Sequence, residues 1–441
     1  MQRPCFSAVS AAVVAGVFAF QAVAAEPPQG FTALFNGRDL TGWFGHKGED
    51  PRDVIGKSQD ELQKIWDASM ADVNAHWKAE NDELVNDGHG LFLATKKNYR
   101  DFEFWVDYKT VAKADSGIYL RGTPQVQIWD TTEEAKFSLG ADKGSGGLWN
   151  NKDRGLAGKN PSKKMDRPFG EWNSFKIKMI GERVTVNFNG ETVVNDCVLE
   201  NYADRQSPVF VEGPIKLQTH GGEIRWRNIF VREIPYDEVV KTLSARDGGE
   251  AGFVRLDNGR DLSGWKGAIE NYEVVDGAIR CKAGKGGNLL TPEEYGDFVV
   301  RFEFKVPPGG NNGLCLRHPG EGDTAYVGMC ESQVLDDNYD KVKGPIDPRQ
   351  VHGSAYGMVG AKRGFQRPVG EWNYQEVTVK GPTIRVELNG TQILDADLSK
   401  VTPDQFMGGH AHPGKDRTKG FFGFAGHSDP VSFRNVRIKK L

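Results

Sequence analysis

The sequence predicts an all-β protein built from two tandem copies of one sandwich or jelly-roll domain, the first copy carrying a short helical insertion. Three observations lead to this prediction: a long internal repeat, strand-like alternation of apolar and polar residues, and glycine-rich turns between the predicted strands. The chain shows no regular alternation of strands with long helices, which a parallel sheet would require. We therefore expect antiparallel sheets packed face to face.

The internal repeat sets the domain organisation. The matching segments, in order, are FNGRDLTGW (35–43) with DNGRDLSGW (257–265), RPFGEWN (167–173) with RPVGEWN (367–373), and residues 220–228 with residues 427–435. Because order and spacing are kept together, the repeat indicates a duplication. We expect a first domain at 26–236, a linker at 237–250 and a second domain at 251–441, each of ordinary single-domain size.

Strands and hairpins follow from period-two patterns. Apolar and polar residues alternate over 184–188, and a similar pattern recurs in the second copy. Asn189-Gly190 and Asn389-Gly390 each separate two such runs, and Asn-Gly favours the positive φ values of a two-residue hairpin turn. Each copy is therefore predicted to contain a hairpin at this position.

One segment of the first copy has helical spacing instead. Apolar residues recur every three or four positions over 58–77, behind Ser58 and Glu61. Serine followed three residues later by glutamate is typical of a helix amino terminus. This helical insertion has no counterpart in the second copy.

The amino terminus predicts export. Arg3 precedes an apolar stretch at 8–20 and a run of small residues at 22–25, the pattern of a secretory signal peptide. The apolar stretch is too short and interrupted for a membrane span of about 20 residues. We expect cleavage after residue 25, a periplasmic or secreted protein, and no membrane span. A formal net charge of -4 argues against a nucleic-acid partner.

The cysteine pattern does not predict a zinc ribbon. The mature chain retains Cys197, Cys281, Cys315 and Cys330, and none of them forms a CxxC pair. A zinc ribbon is therefore not expected, and the cysteines are predicted to be buried or to form one bridge in the second half.

The motifs resemble a known family. An opening LFNGRDLTGW, a central SGIYLRG, a GEWN before paired strands and a closing Arg-Asn strand resemble the family first catalogued as domain of unknown function 1080, now described as 3-keto-disaccharide hydrolases or 3-keto-glucoside lyases and hydratases. The resemblance covers nearly the whole mature chain, once per copy. It implies a concanavalin-like jelly roll in each copy, a carbohydrate substrate, and a functional link to a sugar 3-dehydrogenase.

The implied chemistry begins with a ketone. Oxidation of the sugar at C3 acidifies the C2 hydrogen, so a base can remove that proton and the enolate can expel the C1 substituent. Water can then add back. The resemblance thus implies a 3-keto-glycoside hydrolase or lyase that needs a base and a group that stabilises the enolate oxygen.

One strand carries the first candidate site residues. In the family this strand usually reads E-x-Q-x-x-D, which corresponds in the second copy to Glu331, Gln333 and Asp336, and in the first copy to Gln125, Gln127 and Asp130. Strand alternation puts the first two residues of each set on one face, which a concave sheet could present to a sugar. The alternative is a strand whose polar face is merely solvated. We expect Asp130, Glu331 and Asp336 to be catalytic and the three glutamines to bind substrate.

Further candidates come from positions outside this strand. Arg121 and Arg317 end strand-like segments and could hold a hydroxyl or an enolate oxygen, although arginines at strand ends often pair with surface acids. His220 and His427 align between the copies and could act as general base or acid, or be loop histidines without a role. Trp149 follows a glycine-rich loop, where it could stack on a sugar ring or lie in the core.

A divalent metal ion is permitted but not required by the second copy. This copy adds His318, His352, His410 and His412 near Asp336 and Asp337. No short ligand spacing enforces a metal site, and the two histidines at 410 and 412 could be an isolated loop. No other cofactor is predicted.

Two other functions remain open. One is a carbohydrate-binding module without chemistry. The other is an ordinary glycosidase, which needs two carboxyl groups roughly 5 to 9.5 Å apart. For that reaction only the second copy offers a pair, Glu331 and Asp336, which lie on opposite faces of a regular strand. The difference between Gln125 and Glu331 also leaves open whether both copies perform the same reaction.

Overall fold

The computed structural model describes residues 26–152, 154 and 156–441. The predicted signal peptide, residues 1–25, lies outside these residues. The described chain forms two β-sandwiches, each made of an eight-stranded sheet and a five-stranded sheet. The predicted fold class, two jelly-roll sandwiches with few helices, is confirmed.

The first sandwich runs from the described amino terminus to Glu233. Its strands are β1 Thr32–Ala33, β2 Trp43–His46, β3 Trp77–Glu80, β4 Glu83–Asn86, β5 Phe92–Thr95, β6 Phe102–Thr110, β7 Ser116–Leu120, β8 Thr123–Ile128, β9 Asn173–Ile180, β10 Arg183–Phe188, β11 Glu191–Val198, β12 Lys216–Leu217 and β13 Ile224–Glu233. The larger sheet has the order β11-β10-β9-β6-β13-β4-β3, with β1 paired to β13. The smaller sheet has the order β2-β5-β12-β7-β8.

The second sandwich repeats this arrangement. Its strands are β14 Val254–Arg255, β15 Lys266–Gly267, β16 Tyr272–Val275, β17 Ala278–Cys281, β18 Gly286–Tyr295, β19 Phe298–Lys305, β20 Asn311–His318, β21 Cys330–Leu335, β22 Asn373–Lys380, β23 Thr383–Leu388, β24 Thr391–Asp397, β25 Gly420–His427 and β26 Ser432–Lys440. The larger sheet has the order β16-β17-β26-β19-β22-β23-β24, with β14 paired to β26. The smaller sheet has the order β15-β18-β25-β20-β21.

Each core lies between the two sheets of a sandwich. Alternate residues of β6, such as Phe102 and Phe104, meet Ile118 and Val126 of the smaller sheet there. Burial of each such side chain contributes roughly 1.5–3 kcal/mol. Because side chains alternate along a strand, the residues between these core positions point away from the core. We call this side of each five-stranded sheet its outer face.

The helices are short except for the predicted insertion. They are α1 Gln59–His76, α2 Leu156–Lys159, α3 Tyr236–Ser244, α4 Thr324–Val327 and α5 Tyr339–Lys343. Ser58 and Glu61 form the predicted capping box at the start of α1. Among the described residues, no helix is long and apolar enough to cross a membrane.

Helix α1 wraps around the β2 edge of the smaller sheet, because Trp66 packs with Phe44 and Ala94 on the outer face whereas Val73 belongs to the core. Its Ser69 hydroxyl accepts a 2.9 Å hydrogen bond from the backbone N–H of Gly45, in β2. A Cβ atom at Gly45 would lie 2.7 Å from Val73 Cγ2, so only glycine allows this close approach. The insertion therefore covers the β2 edge of the first outer face.

The shared sequence motifs build loops rather than a site. In the first, the Asn36 side chain binds Asp39 and the backbone of Arg38, and the same contacts recur from Asn258 in the second copy. The asparagine of each GEWN motif binds the asparagine of the following Asn-Gly turn, as Asn173 does. Both Asn-Gly hairpins are confirmed, since each turn joins two paired strands.

The predicted linker contains the helix α3, which was not predicted. Val239 and Leu243 of this helix pack with Ile180 of the first sandwich and Tyr374 of the second. The Tyr236 hydroxyl also donates a 3.0 Å hydrogen bond to Glu303. The segment is thus a packed spacer between the two sandwiches.

The cysteines and the repeated tryptophans complete the description. The four described cysteines are all free, so the disulfide bridge that was the alternative prediction is not formed. Trp43 and Trp265, which recur in the repeat, are buried in their cores. Trp172 and Trp372 recur too, but they are only partly buried, because each lies on the surface beneath lysine and arginine side chains.

Candidate active site

Two strands of each smaller sheet carry the polar residues that the sequence singles out. In the first sandwich Gly117 of β7 lies opposite Gln127 of β8, and in the second Gly313 of β20 lies opposite Gln333 of β21. Val126 points into the core, so the glutamine beside it points to the outer face. The two copies therefore present equivalent side chains on equivalent surfaces.

A cavity of about 210 Å³ opens on the outer face of the second sandwich. It is lined by three predicted site residues, Glu331, Gln333 and His427, together with Asn311, Asp323, Ala325, Tyr326, Leu335, Tyr339, Ile346, Gln350 and Tyr356. We call it the second-domain pocket. Its volume is below the roughly 300–1,000 Å³ of drug-sized ligand sites, so it suits a small ring.

Glu331 and His427 form the titratable centre of this pocket. The Glu331 carboxyl group is 3.4 Å from His427 Nε2, and the glutamate is buried while 44% of the histidine side chain remains exposed. Burial raises the pKa of Glu331, and the hydrogen bond to Glu331 raises the pKa of His427. A buried carboxylate with a raised pKa is a stronger base than an exposed one, and a histidine beside it can supply a proton.

Amide and aromatic groups complete the second-domain pocket. Gln333 Nε2 donates a 2.8 Å hydrogen bond to Asn311, while Gln333 Oε1 is buried without a partner among the described residues. Gln350 donates a 3.0 Å hydrogen bond to the Tyr356 hydroxyl, and Tyr326 lies on α4. These groups can bind sugar hydroxyls and stack on a sugar ring.

Sequence reasoning missed Asp323, Tyr326, Gln350 and Tyr356. Asp323 and Tyr326 belong to the segment with α4, which is inserted between β20 and β21, whereas β7 and β8 are joined by a tight turn; Gln350 and Tyr356 lie in the loop after β21. The extra length of the β20–β21 connection in the second copy was the signal available. It brings an acid and an aromatic ring over the outer face.

The first sandwich places a different cluster at the equivalent position. Asp115 accepts a 2.8 Å hydrogen bond from Gln127 and lies 3.1 Å from Lys136 Nζ and 3.2 Å from His220 Nδ1. Gln125 in turn donates to Gln127. We call Asp115, Gln127, Lys136 and His220 the first-domain cluster.

Asp115 orients His220 in this cluster. The carboxylate raises the pKa of His220 through their hydrogen bond and holds its Nδ1, which directs the other ring nitrogen outwards. The His220 side chain is 62% exposed. Asp115 was not predicted, because the second copy has Asn311 at the matching strand position and the comparison favoured residues that both copies share.

The predicted catalytic residues Asp130 and Asp336 are not brought into these sites. Asp130 accepts hydrogen bonds from the backbone N–H groups of Lys113 and Thr132. Asp336 accepts them from Gly309 and from the residue two positions after it. Both aspartates lie just after the ends of their strands, and their carboxylates stabilise the loops there through these hydrogen bonds. Their placement therefore does not support a catalytic role.

The predicted substrate-binding arginines are also used inside the fold. Arg121 is buried and binds Asp101 at 3.1 Å. Arg317 is buried too, and it binds Asp297 at 2.7 Å and three backbone carbonyl groups. Their guanidinium groups fasten the ends of β7 and β20, which explains the recurrence of arginine without a substrate.

Trp149 lies beside the first-domain cluster. Its indole N–H donates a 2.8 Å hydrogen bond to the carbonyl of Leu139, which ends the short 3-10 helix that carries Lys136. Its ring packs edge-on against Trp129 and is partly exposed. This position is compatible with stacking on a sugar ring.

The additional histidines of the second copy do not converge. His352 binds Gln375 at 2.8 Å inside the core, and His318 contacts Asn288. His410 and His412 pack beside Tyr326. In the chain as described, no group of three or more histidine, cysteine, aspartate or glutamate side chains is arranged to hold a metal ion.

Two solved structures are each similar to 43% of the chain. A protein from Parabacteroides distasonis named as a candidate glycosyl hydrolase is 29% identical, covers 43% of this chain and 99% of its own, and has a TM-score of 0.38. The carbohydrate binding module CBM66 from Bacillus subtilis is 14% identical, covers 43% of this chain and 96% of its own, and has a TM-score of 0.24.

Comparison of sequences gives a functional family. A curated 3-keto-disaccharide hydrolase from Bacteroides thetaiotaomicron is 27% identical over an alignment of 234 residues, and the match covers 43% of this chain and 79% of that protein. The family described as the 3-keto-alpha-glucoside-1,2-lyase-like domain matches residues 30–232 and again residues 252–439. The chain therefore belongs to this family of 3-keto-disaccharide hydrolase-like glycosyl hydrolases, with one family domain in each sandwich.

Proposed function

We propose that the protein cleaves 3-keto-glycosides by removal of the C2 proton, elimination at C1 and hydration of the product. The observation that carries this proposal is the contact between buried Glu331 and His427 in the second-domain pocket. Elimination next to a ketone needs one base and one acid, and this pair supplies both.

Glu331 is assigned as the base. Its carboxylate is buried, and the resulting rise of its pKa makes it a better acceptor for the C2 proton. As the proton leaves C2, the electron pair forms the enolate, and the C1–O bond then breaks with that pair forming the C1–C2 double bond. His427 is assigned as the acid that protonates the departing oxygen.

Gln333 and Tyr356 are assigned to substrate binding. The buried Gln333 amide is fixed by Asn311, and the Tyr356 hydroxyl is fixed by Gln350, so both present rigid polar groups to the cavity. Groups held before the substrate arrives lose little entropy when it binds. The enolate oxygen requires a hydrogen-bond donor, which the Tyr356 hydroxyl can provide.

We further propose that the two sandwiches are specialised. The first-domain cluster lacks a counterpart of Glu331, since Gln125 occupies that strand position, but it has an aspartate–histidine pair of its own. An oriented and largely exposed histidine suits activation of water. The first sandwich is therefore assigned to hydration, or to binding alone, and the second to elimination.

The proposal places the protein outside the cytoplasm, after a dehydrogenase. The sequence pattern of residues 1–25 supports export to the periplasm or beyond. A 3-keto-glycoside must be formed by oxidation of a C3 hydroxyl, so a sugar 3-dehydrogenase has to act first.

An assay of the full chain tests the proposed activity. A 3-keto-disaccharide should be consumed, and the same disaccharide without the ketone should not, because its C2 hydrogen is not acidic. Consumption of both sugars would favour an ordinary glycosidase. Tight binding of either sugar without consumption would favour a carbohydrate-binding module.

A further inference from the structure

A buried lysine on the first outer face lies outside the sites described above. Lys216 of β12 is fully buried, and its Nζ atom lies 3.0 Å from His46 Nδ1 and 3.5 Å from the carbonyl oxygen of Gly48. Among the residues the structure describes, no carboxylate forms an ion pair with it within 4.0 Å. An ammonium group buried without such a partner is costly.

The nearby carboxylates are Asp53, Asp50 and Glu49, whose charges oppose the effect of burial on the lysine without forming an ion pair with it. Asp50 accepts hydrogen bonds from the Arg52 side chain. Glu49 interacts with the hydroxyl groups of Tyr119 and Tyr202. Burial consequently lowers the pKa of Lys216 to about 7, so that a large share of the amine is uncharged at neutral pH.

The second sandwich shows that the fold does not need this lysine. Lys216 lies opposite Tyr119, whereas the matching position in the second copy is Gly423, which lies in β25 opposite Cys315. Trp43 of the first copy matches Trp265 of the second in the sequence repeat. His46 lies three residues after Trp43, and the residue three positions after Trp265 is Ala268. A lysine, a histidine and a tyrosine in one copy thus replace a glycine, an alanine and a cysteine in the other.

His46 gives the lysine a partner for proton transfer. The imidazole is 3% exposed, and burial together with the neighbouring Lys216 lowers its pKa to about 4, so it is neutral. Its Nδ1 faces the lysine, while its Nε2 is buried without a partner among the described residues. An amine beside a neutral base is the arrangement that lysine chemistry on carbonyl groups requires.

A short strap covers this pair. Residues 48–56 cross over Lys216, and Gly48 and Gly56 are the two ends of this segment. Both glycines have positive φ, and a Cβ atom added to either one would have no atom within 4 Å. Pro51 of the strap packs against Gly122. A Cβ atom added to Gly122 would contact both Pro51 and the aliphatic part of the Lys216 side chain. The strap separates the amine from solvent, and its glycine ends are the places where the backbone can turn.

We infer that Lys216 is a reactive amine that condenses with the ketone of a keto-sugar bound on the outer face of the first sandwich, beneath the strap. This inference rests on the proposed function, because it takes the sugar ketone as the carbonyl partner. The amine nitrogen adds to the C3 carbonyl carbon, and the carbonyl oxygen leaves as water. Once protonated, the C=N bond draws electrons from the neighbouring C1–C2 double bond of the unsaturated sugar more strongly than the ketone does, which favours addition of water at C1.

The subsequent steps return the amine. His46 accepts a proton from water, the water oxygen bonds to C1 of the unsaturated keto-sugar that elimination produces, and the electron pairs of the C1–C2 and C=N double bonds shift to give an enamine. His46 then returns the proton to C2, and the C=N bond forms again. Water adds to the C=N carbon, which releases Lys216 and the hydrated 3-keto-sugar.

Reductive trapping tests this inference without relying on turnover. The full-length protein is incubated with a 3-keto-glucoside and sodium cyanoborohydride, which reduces the C=N bond to a stable secondary amine. Mass spectrometry of the digested protein should find a single adduct, on the peptide that contains Lys216. Lys216→Met should abolish the adduct, whereas Lys109→Met, which removes a partly buried lysine paired with Glu83, should leave it unchanged.

Three outcomes would overturn the inference. They are the absence of an adduct at Lys216, labelling spread evenly over exposed lysines, and labelling of Lys216 by a small ketone such as acetone but not by the keto-sugar. Thermal unfolding of the variants confirms that they are folded. Failure of the proposed function is recognised separately, since it would abolish consumption of the 3-keto-disaccharide whether or not the adduct forms.

Discussion

Glu331 reaches His427 across an intervening strand, with 3.4 Å between the carboxyl oxygen and the imidazole nitrogen. The glutamate belongs to β21 and the histidine to β25, and β20 lies between them. The contact passes over Gly313, where an added Cβ would lie only 1.8 Å from the glutamate oxygen. The missing side chain at this one position therefore makes the pair feasible.

Glu331→Gln should abolish most of the elimination activity. The amide keeps the size of the side chain but cannot accept the C2 proton, so we expect kcat to fall by roughly 10²- to 10⁴-fold. Initial rates on a 3-keto-disaccharide measure the effect. The matched control is Glu293→Gln, which changes an exposed glutamate paired with Lys440. Equal rates for the two variants would refute the assignment of Glu331.

Gly313→Ala should disturb the same site without a change in charge. The new methyl group must displace the Glu331 carboxylate, so kcat should fall while the protein stays folded. The control is Gly296→Ala, where an added Cβ meets only the Thr418 carbonyl oxygen, at 3.6 Å. Wild-type rates in the Gly313 variant would show that the carboxylate position is unimportant.

The pH dependence of kcat/KM should follow the raised pKa values of the pair. The base must be deprotonated. The midpoint of the acidic limb should therefore lie above the pKa of an ordinary glutamate, because burial raises the pKa of Glu331. The acid must be protonated, so the midpoint of the alkaline limb should lie above the pKa of an ordinary histidine. The two limbs belong to the coupled pair. His427→Gln should remove the alkaline limb, and a persistent limb would exclude His427 as the acid.

Asp115→Asn should lower the pKa of His220 towards the ordinary histidine value of about 6.5. The reason is that the Asp115 carboxylate stabilises the charged imidazole through their hydrogen bond. An NMR titration of the His220 ring measures the change in its pKa. The control is Asp142→Asn, which changes an exposed aspartate. An unchanged titration would show that the pair does not form.

Lys216→Met should stabilise the protein most at low pH. The folded protein holds the Lys216 pKa near 7, below that of the unfolded chain, so folding is penalised below pH 7 and the penalty fades as pH rises towards about 10.4. The variant should therefore melt at a higher temperature than wild type at about pH 6, and the difference should shrink by about pH 9. A pH-independent difference in Tm would mean that Lys216 is fully charged in the folded state.

Local patterns in the sequence were sufficient to predict the sandwiches and the α1 insertion. Period-two alternation, Asn-Gly turns and the Ser58–Glu61 capping box depend on residues close in the chain, and the structure shows all of them. The helix α3 was missed although Val239, Val240 and Leu243 follow helical spacing, because the segment falls between the two repeats and was assigned to the linker. A helix this short depends on tertiary packing for its stability, here between the two sandwiches.

The candidate site was predictable only in part. Strand alternation and repetition led to Glu331, Gln333 and His427, which the second-domain pocket brings together. The same repetition pointed to Arg121 and Arg317, whose role in both copies is internal. Residues that only one copy has were missed, among them Asp115, Tyr326, Tyr356 and Lys216. Repetition reports what the fold requires, and the differences between the copies carry the chemistry.

Turnover of a 3-keto-disaccharide in deuterated water, followed by NMR and mass spectrometry, tests the central claim most directly. If cleavage proceeds by removal of the C2 proton, the full-length protein should release an unsaturated intermediate and a keto-sugar that carries deuterium at C2, and Glu331→Gln should suppress both. Cleavage that leaves the C2 hydrogen in place, or the absence of any cleavage by the intact protein, would contradict the account.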